Sequence, residues 1–456
     1  MKTKLYLSAL LMACTLSLSA EEAIIDTTQM TFSMLGPMPF YRVNYTYESV
    51  APDGVTPVTL SAALFFPQRI FERTETLQIA GKEFNACGLV LSNHYTMTMR
   101  EEAPTVTDNP MIEGPFTTLG PSYILVSPDS YGFGVTDDKP QAYLIADITA
   151  INHIDAVGAA RRLLKKMDYA VGDLFAQFGY SQGGHSSMAV QRYFDTHEVD
   201  PEVISHIDYT LCGDGPYDIS AMTDSLLVPG ATFPYPCAIS LIAEGQIEGA
   251  NLDIKYSDIF HAPLDTKLIE WNDSKALSTD DLNDSIFAYI GGDITTGIQV
   301  DKMLKTDYFS RSNPAMETYF QALDANSVCS GWTPNPDTRF FLYHSTTDEI
   351  VPYYNMEHMR DFLSNECGIV DDNLETYTTE GSHLDAAMLF VMSIISKLTK
   401  LQDEYIANAE LAIPTIDVTN EIPSSDAWFT LDGRRLNAQP TAKGLYIHKG
   451  RKVLIK

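Results

Sequence analysis

"FGYSQGGHSS", residues Phe178 to Ser187, sets one serine among glycines, directly after an apolar run and before a stretch with helical character. Gly179-Tyr180-Ser181-Gln182-Gly183 fits G-x-S-x-G, which is informative where a strand turns sharply into a helix. Glycine carries an entropy cost in ordered structure, so its presence here needs a steric reason. A hydroxyl lifted above a sheet by such a turn crowds the backbone two residues to either side, where Gly179 and Gly183 stand. The helix N-terminus beneath it favours developing negative charge. The same letters also describe an ordinary glycine-rich turn, so the reading depends on partners elsewhere in the chain.

Working outward, "CGLVLSNH", "SYILVSPDS", "DLFAQFGYS", "ISHIDYTLCGDG" and "TRFFLYHSTTD" are short apolar runs ending in turn-formers. Such runs suit strands buried on both faces of a parallel sheet. Between them lie helical stretches, among them "AYLIADITAINHIDAVGAARRLLKKM", with apolar residues three and four apart and a basic end. Strand alternating with helix predicts an α/β fold, a mostly parallel doubly wound sheet. Upstream, Phe40 to Phe66 alternate around Pro-Asp-Gly, which predicts an N-terminal antiparallel hairpin. The alternation breaks over about 218–336, which reads as an inserted helical cap over the site. Within it, "LLVPGATFPYPCAISLI" is expected either to line an acyl pocket, with Phe233 and Ile239 in the wall, or to pack the cap.

The chain has 456 residues, 45% hydrophobic and 20% charged, with a formal net charge of −30. That balance argues against nucleic acid or anionic membranes as partners. "MKTKLYLSALLMACTLSLSA" reads as a signal peptide over 1–20, cut after Ala20. A lipoprotein leader placing its lipidated cysteine at Cys14 is the rival reading, and either one implies export. No later segment is apolar enough for a transmembrane helix. Cys87, Cys212, Cys237, Cys329 and Cys367 are scattered, without ligand spacing; paired and free thiols both remain open. The body is expected over 21–405, a linker over 406–425 and a small β module over 426–456. From Asp426 onward there are two acidic and seven basic residues, so the charge inverts.

A serine nucleophile needs a base and an orienting acid. "FFLYHSTTDEIVPYYN" supplies Asp348 at the end of a core strand, and "ETYTTEGSHLDAAMLF" supplies His383 before the last helix. Chain order Ser, Asp, His suits this architecture. Asp348 also reads as a helix cap, Glu349 is a neighbouring rival, and His344 and His358 are rival bases. An oxyanion hole needs two backbone N–H groups, expected from Gln182 and from the loop at His94 and Tyr95. His153 reads as packing or surface, and His185 as a satisfied polar residue. "YGFG" at Tyr131 to Gly134 lacks the Lys-Ser/Thr of a phosphate loop, and no HExxH occurs.

Together these residues resemble the α/β-hydrolase superfamily, and within it the secretory lipase and bacterial exported esterase families. The likeness runs over most of 38–400 and includes "YILVSPDSYGFGVTDD", "CGDGPYDI", "HSTTDEIVP" and "GSHLDAA". It implies hydrolysis of carboxylic esters by Ser181, Asp348 and His383 without a cofactor. Its departure is at the oxyanion loop, where Tyr95 follows His94 in place of a glycine. The C-terminal stretch resembles short sorting modules of exported proteins, which implies a contact with export machinery. A serine peptidase of the same fold and an inactive, ligand-binding hydrolase fold are the alternatives.

Overall fold

The computed structural model describes residues 22–32, 37–411, 427–431, 433–449 and 451–455. The expected leader, its cut after Ala20, the rival Cys14 and most of the expected linker lie outside them. The chain forms two compact units. One runs to Gln78 and resumes from Glu83 through Asp403; the other comprises Ile79–Lys82 and the chain from Glu404 on.

The first unit is built on a nine-stranded sheet. Its strands are β1 (Ile24–Phe32), β2 (Met38–Val50), β3 (Pro57–Pro67), β4 (Ala86–Asn93), β5 (Tyr123–Pro128), β6 (Val171–Tyr180), β7 (Tyr209–Gly213), β8 (Arg339–Ser345) and β9 (Leu374–Thr379). They lie in the order β1-β2-β3-β5-β4-β6-β7-β8-β9. The pairs from β5 onward to β9 are parallel, and β1, β2 and β3 join them antiparallel. The expected hairpin is β2 and β3; β1 extends it by one strand. At its turn Asp53 Oδ1 accepts the N–H groups of Val55 and Thr56, and Gly54 takes a positive φ of 72°.

Period-two alternation decides what each strand buries. Val43, Tyr45 and Tyr47 of β2 join Leu60, Leu64 and Phe66 of β3 in one apolar cluster. On the other face Arg42 and Asn44 donate to the carbonyls of Thr107 and Thr105. The central strands β4 and β5 are buried throughout, as their unbroken apolar runs require. In β6, Phe175 faces the cluster beneath α1 (Ala146–Lys166). Tyr180, five residues on, points to the opposite face.

Five longer helices lie in the insertion between β7 and β8: α3 (Ile219–Leu226), α4 (Pro236–Glu244), α5 (Leu264–Ser274), α6 (Thr279–Ile290) and α7 (Glu317–Asn326). Local chemistry starts several of them. Asp218 accepts the Ala221 N–H, Ser278 accepts that of Asp281, and Pro236 opens α4. The insertion buries its own core, including Leu268, Leu282, Ile286, Met303 and Leu323. Phe233 and Ile239 belong to that core and are not in the wall of the cavity that Ser181 and His383 border. The apolar stretch that holds them both packs the cap and, through its neighbours, lines the cavity. β8 is followed by α8 (Tyr354–Asp361), and β9 by the long α9 (His383–Leu411).

The second unit holds a four-stranded antiparallel sheet of β10 (Trp428–Thr430), β11 (Arg435–Leu436), β12 (Gly444–His448) and β13 (Arg451–Ile455), in the order β11-β10-β12-β13. Trp428 stacks on His448 across it, with ring centroids 4.3 Å apart. The cysteines at 87, 212, 237, 329 and 367 are all free. Among the described residues no helix is long and apolar enough to cross a membrane.

Leu342 is fully buried in β8, between β7 and β9. Leu342→Ala should lower stability by about 2–5 kcal/mol through lost burial and a residual cavity. Urea unfolding should show the midpoint falling while the slope stays constant.

Candidate active site

The site begins with a backbone constraint. Ser181, between β6 and α2 (Gln182–Thr196), has φ 57° and ψ −121°, a conformation non-glycine residues seldom adopt. It is held by the Ser181 N–H donating to Gly213 O at 2.8 Å and the Gly184 N–H donating to Ser181 O at 2.9 Å. A Cβ at Gly179 would stand 2.1 Å from Gly183 O, and one at Gly183 would stand 2.1 Å from Asn93 O. Glycine at both positions is therefore a packing requirement. The Gln182 N–H lies in the first turn of α2, where backbone donors have no partner within the helix.

His383 opens α9, and Asp348 follows β8. The His383 Nδ1–H donates to Asp348 Oδ2 at 2.6 Å. The other carboxylate oxygen, Oδ1, accepts the N–H groups of Ile350 and Val351, both at 2.8 Å. Both side chains are buried or nearly so. Glu349, the rival acid, instead accepts the backbone N–H of His383 at 3.1 Å. Burial alone would push the His383 imidazole down. The hydrogen bond and charge of Asp348, with Glu349 adding, hold it above the ordinary histidine value.

The loop after β4 is braced by buried side chains. The His94 ring lies between Tyr95 O and Ser130 Oγ, each at 2.8 Å. Ser130 Oγ continues to His153 Nε2 at 2.9 Å, and His153 Nδ1 to Asn93 Oδ1 at 2.6 Å. Asn93 Nδ2 then donates to Ser187 Oγ, whose hydroxyl donates to Gly183 O. One chain of polar contacts thus ties the expected oxyanion loop to the helix after Ser181. Burial pushes the His94 imidazole down to about 4 and His153 down to about 3, so both are neutral in the fold at pH 7. His153 is a buried bracing residue, not a surface one.

Ser181 and His383 border a cavity of about 430 Å³. Tyr95 and Thr96 line it from the braced loop. Cys237, Ala238, Leu241 and Ile242 line it from α4, and Leu384, Met388 and Val391 from α9. Its walls are chiefly apolar, so it suits an uncharged acyl or aryl group. The other histidines stand apart from it. His344 Nε2 meets Val351 O at 2.9 Å, His358 Nδ1 meets Asp218 at 2.8 Å, and His185 Nε2 meets Asn326 O at 2.8 Å. Asp385 accepts the Ser382 hydroxyl at the exposed start of α9.

Sequence reasoning passed over two groups at this site. Asp214, just beyond β7, is fully buried, and one of its oxygens, one Asp348 oxygen and one His383 ring nitrogen all lie within 4.8 Å of one another. The Tyr180 hydroxyl stands between Asp214 Oδ2 and His383 O. The sole signal was an aspartate enclosed by glycines in "CGDG".

His153→Gln should lower stability by about 1–3 kcal/mol, because buried partners lose a hydrogen bond. The stability gap between the two proteins should narrow as pH falls from about 7 to about 5. The sign follows from proton uptake. Unfolded His153 takes a proton near 6.5, while the folded residue, with its depressed pKa, does not. Urea unfolding at both pH values tests this, and a gap that widens at low pH would contradict it.

No protein-family model matches the chain, and no curated protein does. Solved structures do. The rice cell wall degrading esterase LipA from Xanthomonas oryzae is 22% identical, with a TM-score of 0.63, covering 85% of this chain and 99% of that one. Candida antarctica lipase A in its closed state is 15% identical, with a TM-score of 0.57, covering 84% of this chain and 82% of that one. Together with the sheet order and the strained turn at Ser181, these likenesses show that the chain has the α/β-hydrolase fold, with a helical insertion and a small C-terminal β-sheet.

Proposed function

We propose that the protein is an exported serine hydrolase that cleaves carboxylic esters through Ser181, His383 and Asp348. The observation that carries this reading is a serine on a strained turn sharing an apolar cavity with a histidine whose Nδ1 is held by a buried carboxylate. In this reading His383 Nε2 takes the Ser181 proton as the oxygen attacks the ester carbonyl. The bond to Asp348 fixes the tautomer and steadies the imidazolium that forms. Backbone N–H groups of Gln182 and of the His94–Tyr95 loop stabilise the oxyanion. His383 then protonates the leaving alcohol. Water, activated by the same histidine, releases the acid and restores Ser181. No step requires a cofactor. The apolar walls favour an acyl chain over a peptide. Export rests on the leader at 1–20, and a sorting role for 426–456 on its resemblance.

Ser181→Ala should lower turnover of p-nitrophenyl esters by about 10⁴-fold or more, and Asp348→Asn by about 10⁴-fold. A fluorophosphonate probe should label the wild type and leave Ser181→Ala unlabelled. Near-normal hydrolysis by folded Ser181→Ala would refute the assignment, and turnover confined to aminoacyl-nitroanilides would favour the peptidase.

Activity should also fall on the acid side as His383 becomes protonated. The midpoint in kcat/KM should lie above about 6.5, the ordinary histidine value. Glu349→Gln removes a negative charge that raises the His383 pKa, so it should move this midpoint to lower pH. A shift upward would contradict the electrostatic account.

Ala238 and Leu241 face the cavity from α4. Ala238→Trp should shift preference towards shorter acyl chains, read as a changed ratio of kcat/KM for long and short esters. An unchanged profile would place the acyl group elsewhere.

A further inference from the structure

We infer that Asp214 and Asp348 form a coupled carboxyl pair behind His383, with the negative charge on Asp348 and a proton on Asp214, and that Asp214 is a positioning residue for the base. The inference rests on the reading of His383 as general base.

The two carboxyls stand beyond the same ends of neighbouring strands. Asp214 follows β7, Asp348 lies just beyond β8, and the strands run parallel with Gly213 opposite Tyr343. Asp214 takes a positive φ of 41° and is fully buried. Its N–H donates to Tyr343 O at 2.9 Å, and its Oδ1 accepts the Ser345 N–H at 2.7 Å. The chain therefore spends backbone strain to hold this carboxyl within 4.8 Å of the Asp348–His383 pair.

A count of protons decides its state. The Tyr180 hydroxyl has one proton and faces two acceptors, Asp214 Oδ2 and His383 O. If Asp214 is ionised, one of those contacts sets lone pair against lone pair in a buried place. If Asp214 carries the proton, its O–H donates to the Tyr180 oxygen and the Tyr180 O–H donates to the His383 carbonyl, so both contacts are hydrogen bonds. Three acids then hold one histidine: Asp348 at Nδ1, Glu349 at its N–H and Asp214, through Tyr180, at its carbonyl.

The surroundings agree. Burial pushes the Asp214 carboxyl up and the charge of Asp348 pushes it further, while His344, His383 and the Tyr180 hydroxyl oppose them. Two ionised carboxylates this close in a buried site repel, and such a pair retains a proton. The other groups facing Asp214 are Tyr217 and Tyr343, both neutral phenols. His344 approaches Oδ1 with Nδ1 at 3.5 Å while its Nε2 is engaged by Val351 O. A charged His344 paired with an ionised Asp214 is the rival arrangement.

Asparagine mimics a neutral acid here. Its carbonyl accepts the Ser345 N–H, and its amide donates to Tyr180. Asp214→Ala should lower kcat about 10–100-fold with KM little changed, the scale of losing a buried hydrogen bond, and Asp214→Asn should restore all but about threefold. An Asn variant as impaired as the Ala variant would mean that the charge matters, and would overturn the proposal. A second readout does not depend on turnover. The wild-type infrared spectrum should contain a protonated-carboxyl band that shifts in D₂O and is missing in Asp214→Asn. The difference spectrum separates it from other neutral buried acids such as Glu244, which burial pushes up to about 7. No such difference band would overturn the protonated state whatever the kinetics show. A wild type that shows the band but neither hydrolyses esters nor takes the fluorophosphonate would leave the pair standing and remove the proposed function instead.

Discussion

The structure depends on one strained residue. Ser181 stands at φ 57°, which costs of order 1–3 kcal/mol and survives only where the surroundings over-determine it. Here they do. Its N–H is tied to β7 through Gly213 O, and its carbonyl caps the first turn of α2. Gly179 and Gly183 sit so close to each other, and Gly183 so close to Asn93, that no side chain fits at either. Those approaches fix the helix against β4 and β6 together. The same closeness lets Ser187 and Asn93 link α2 to the loop at His94 and Tyr95. Strain at one hydroxyl therefore sets where the helix end, the loop and the cavity meet.

The second organising force is a group of carboxyls, two of them buried, set around one imidazole. Asp348 and Glu349 each bind a different part of one histidine, and Asp214 reaches it through the Tyr180 hydroxyl. Unpaired, such a cluster would be strongly destabilising. Backbone N–H groups of Ser345, Ile350 and Val351 offset much of that penalty by donating to the carboxyl oxygens. The adjoining cavity walls are apolar, which keeps the local dielectric low and strengthens every interaction around the imidazole. The histidine is thus held from the ring and from the backbone, so that its orientation does not depend on a single bond.

Much of this was legible in the sequence, for identifiable reasons. Gly179-x-Ser181-x-Gly183 is readable because a local steric demand leaves a local signature. The central strands announced themselves as unbroken apolar runs, since both faces are covered. The residues proposed to carry the chemistry, at 181, 348 and 383, stood out because each follows a strand in the order this architecture uses. The rest depends on long-range contacts that leave no periodic trace. Tyr180 meets the His383 carbonyl across 203 residues of chain, and Asp214 is 131 residues from the N–H it binds. β1 has too little burial to pattern its sequence clearly. His153 sits within a helix whose apolar spacing gave no hint of a buried polar chain.

The cap shows why such reading stops where it does. Within "TFPYPCAISLI" every residue type suits either a packed core or a cavity wall. Phe233 and Ile239 pack within the cap core only, whereas Cys237, Ala238, Leu241 and Ile242 pack with that core and also line the cavity beside Ser181. Hydrophobicity cannot make that choice, because both sides of α4 are apolar. Residues far along the chain anchor the helix, such as Asn283 accepting the Cys237 N–H and Asn272 bonding Ser240. The groups suited to chemistry stand at the ends of β4, β6, β8 and β9, while much of the cavity wall comes from the insertion. A substitution in α4 can therefore reshape the cavity while the strained turn and the carboxyls behind His383 keep their geometry.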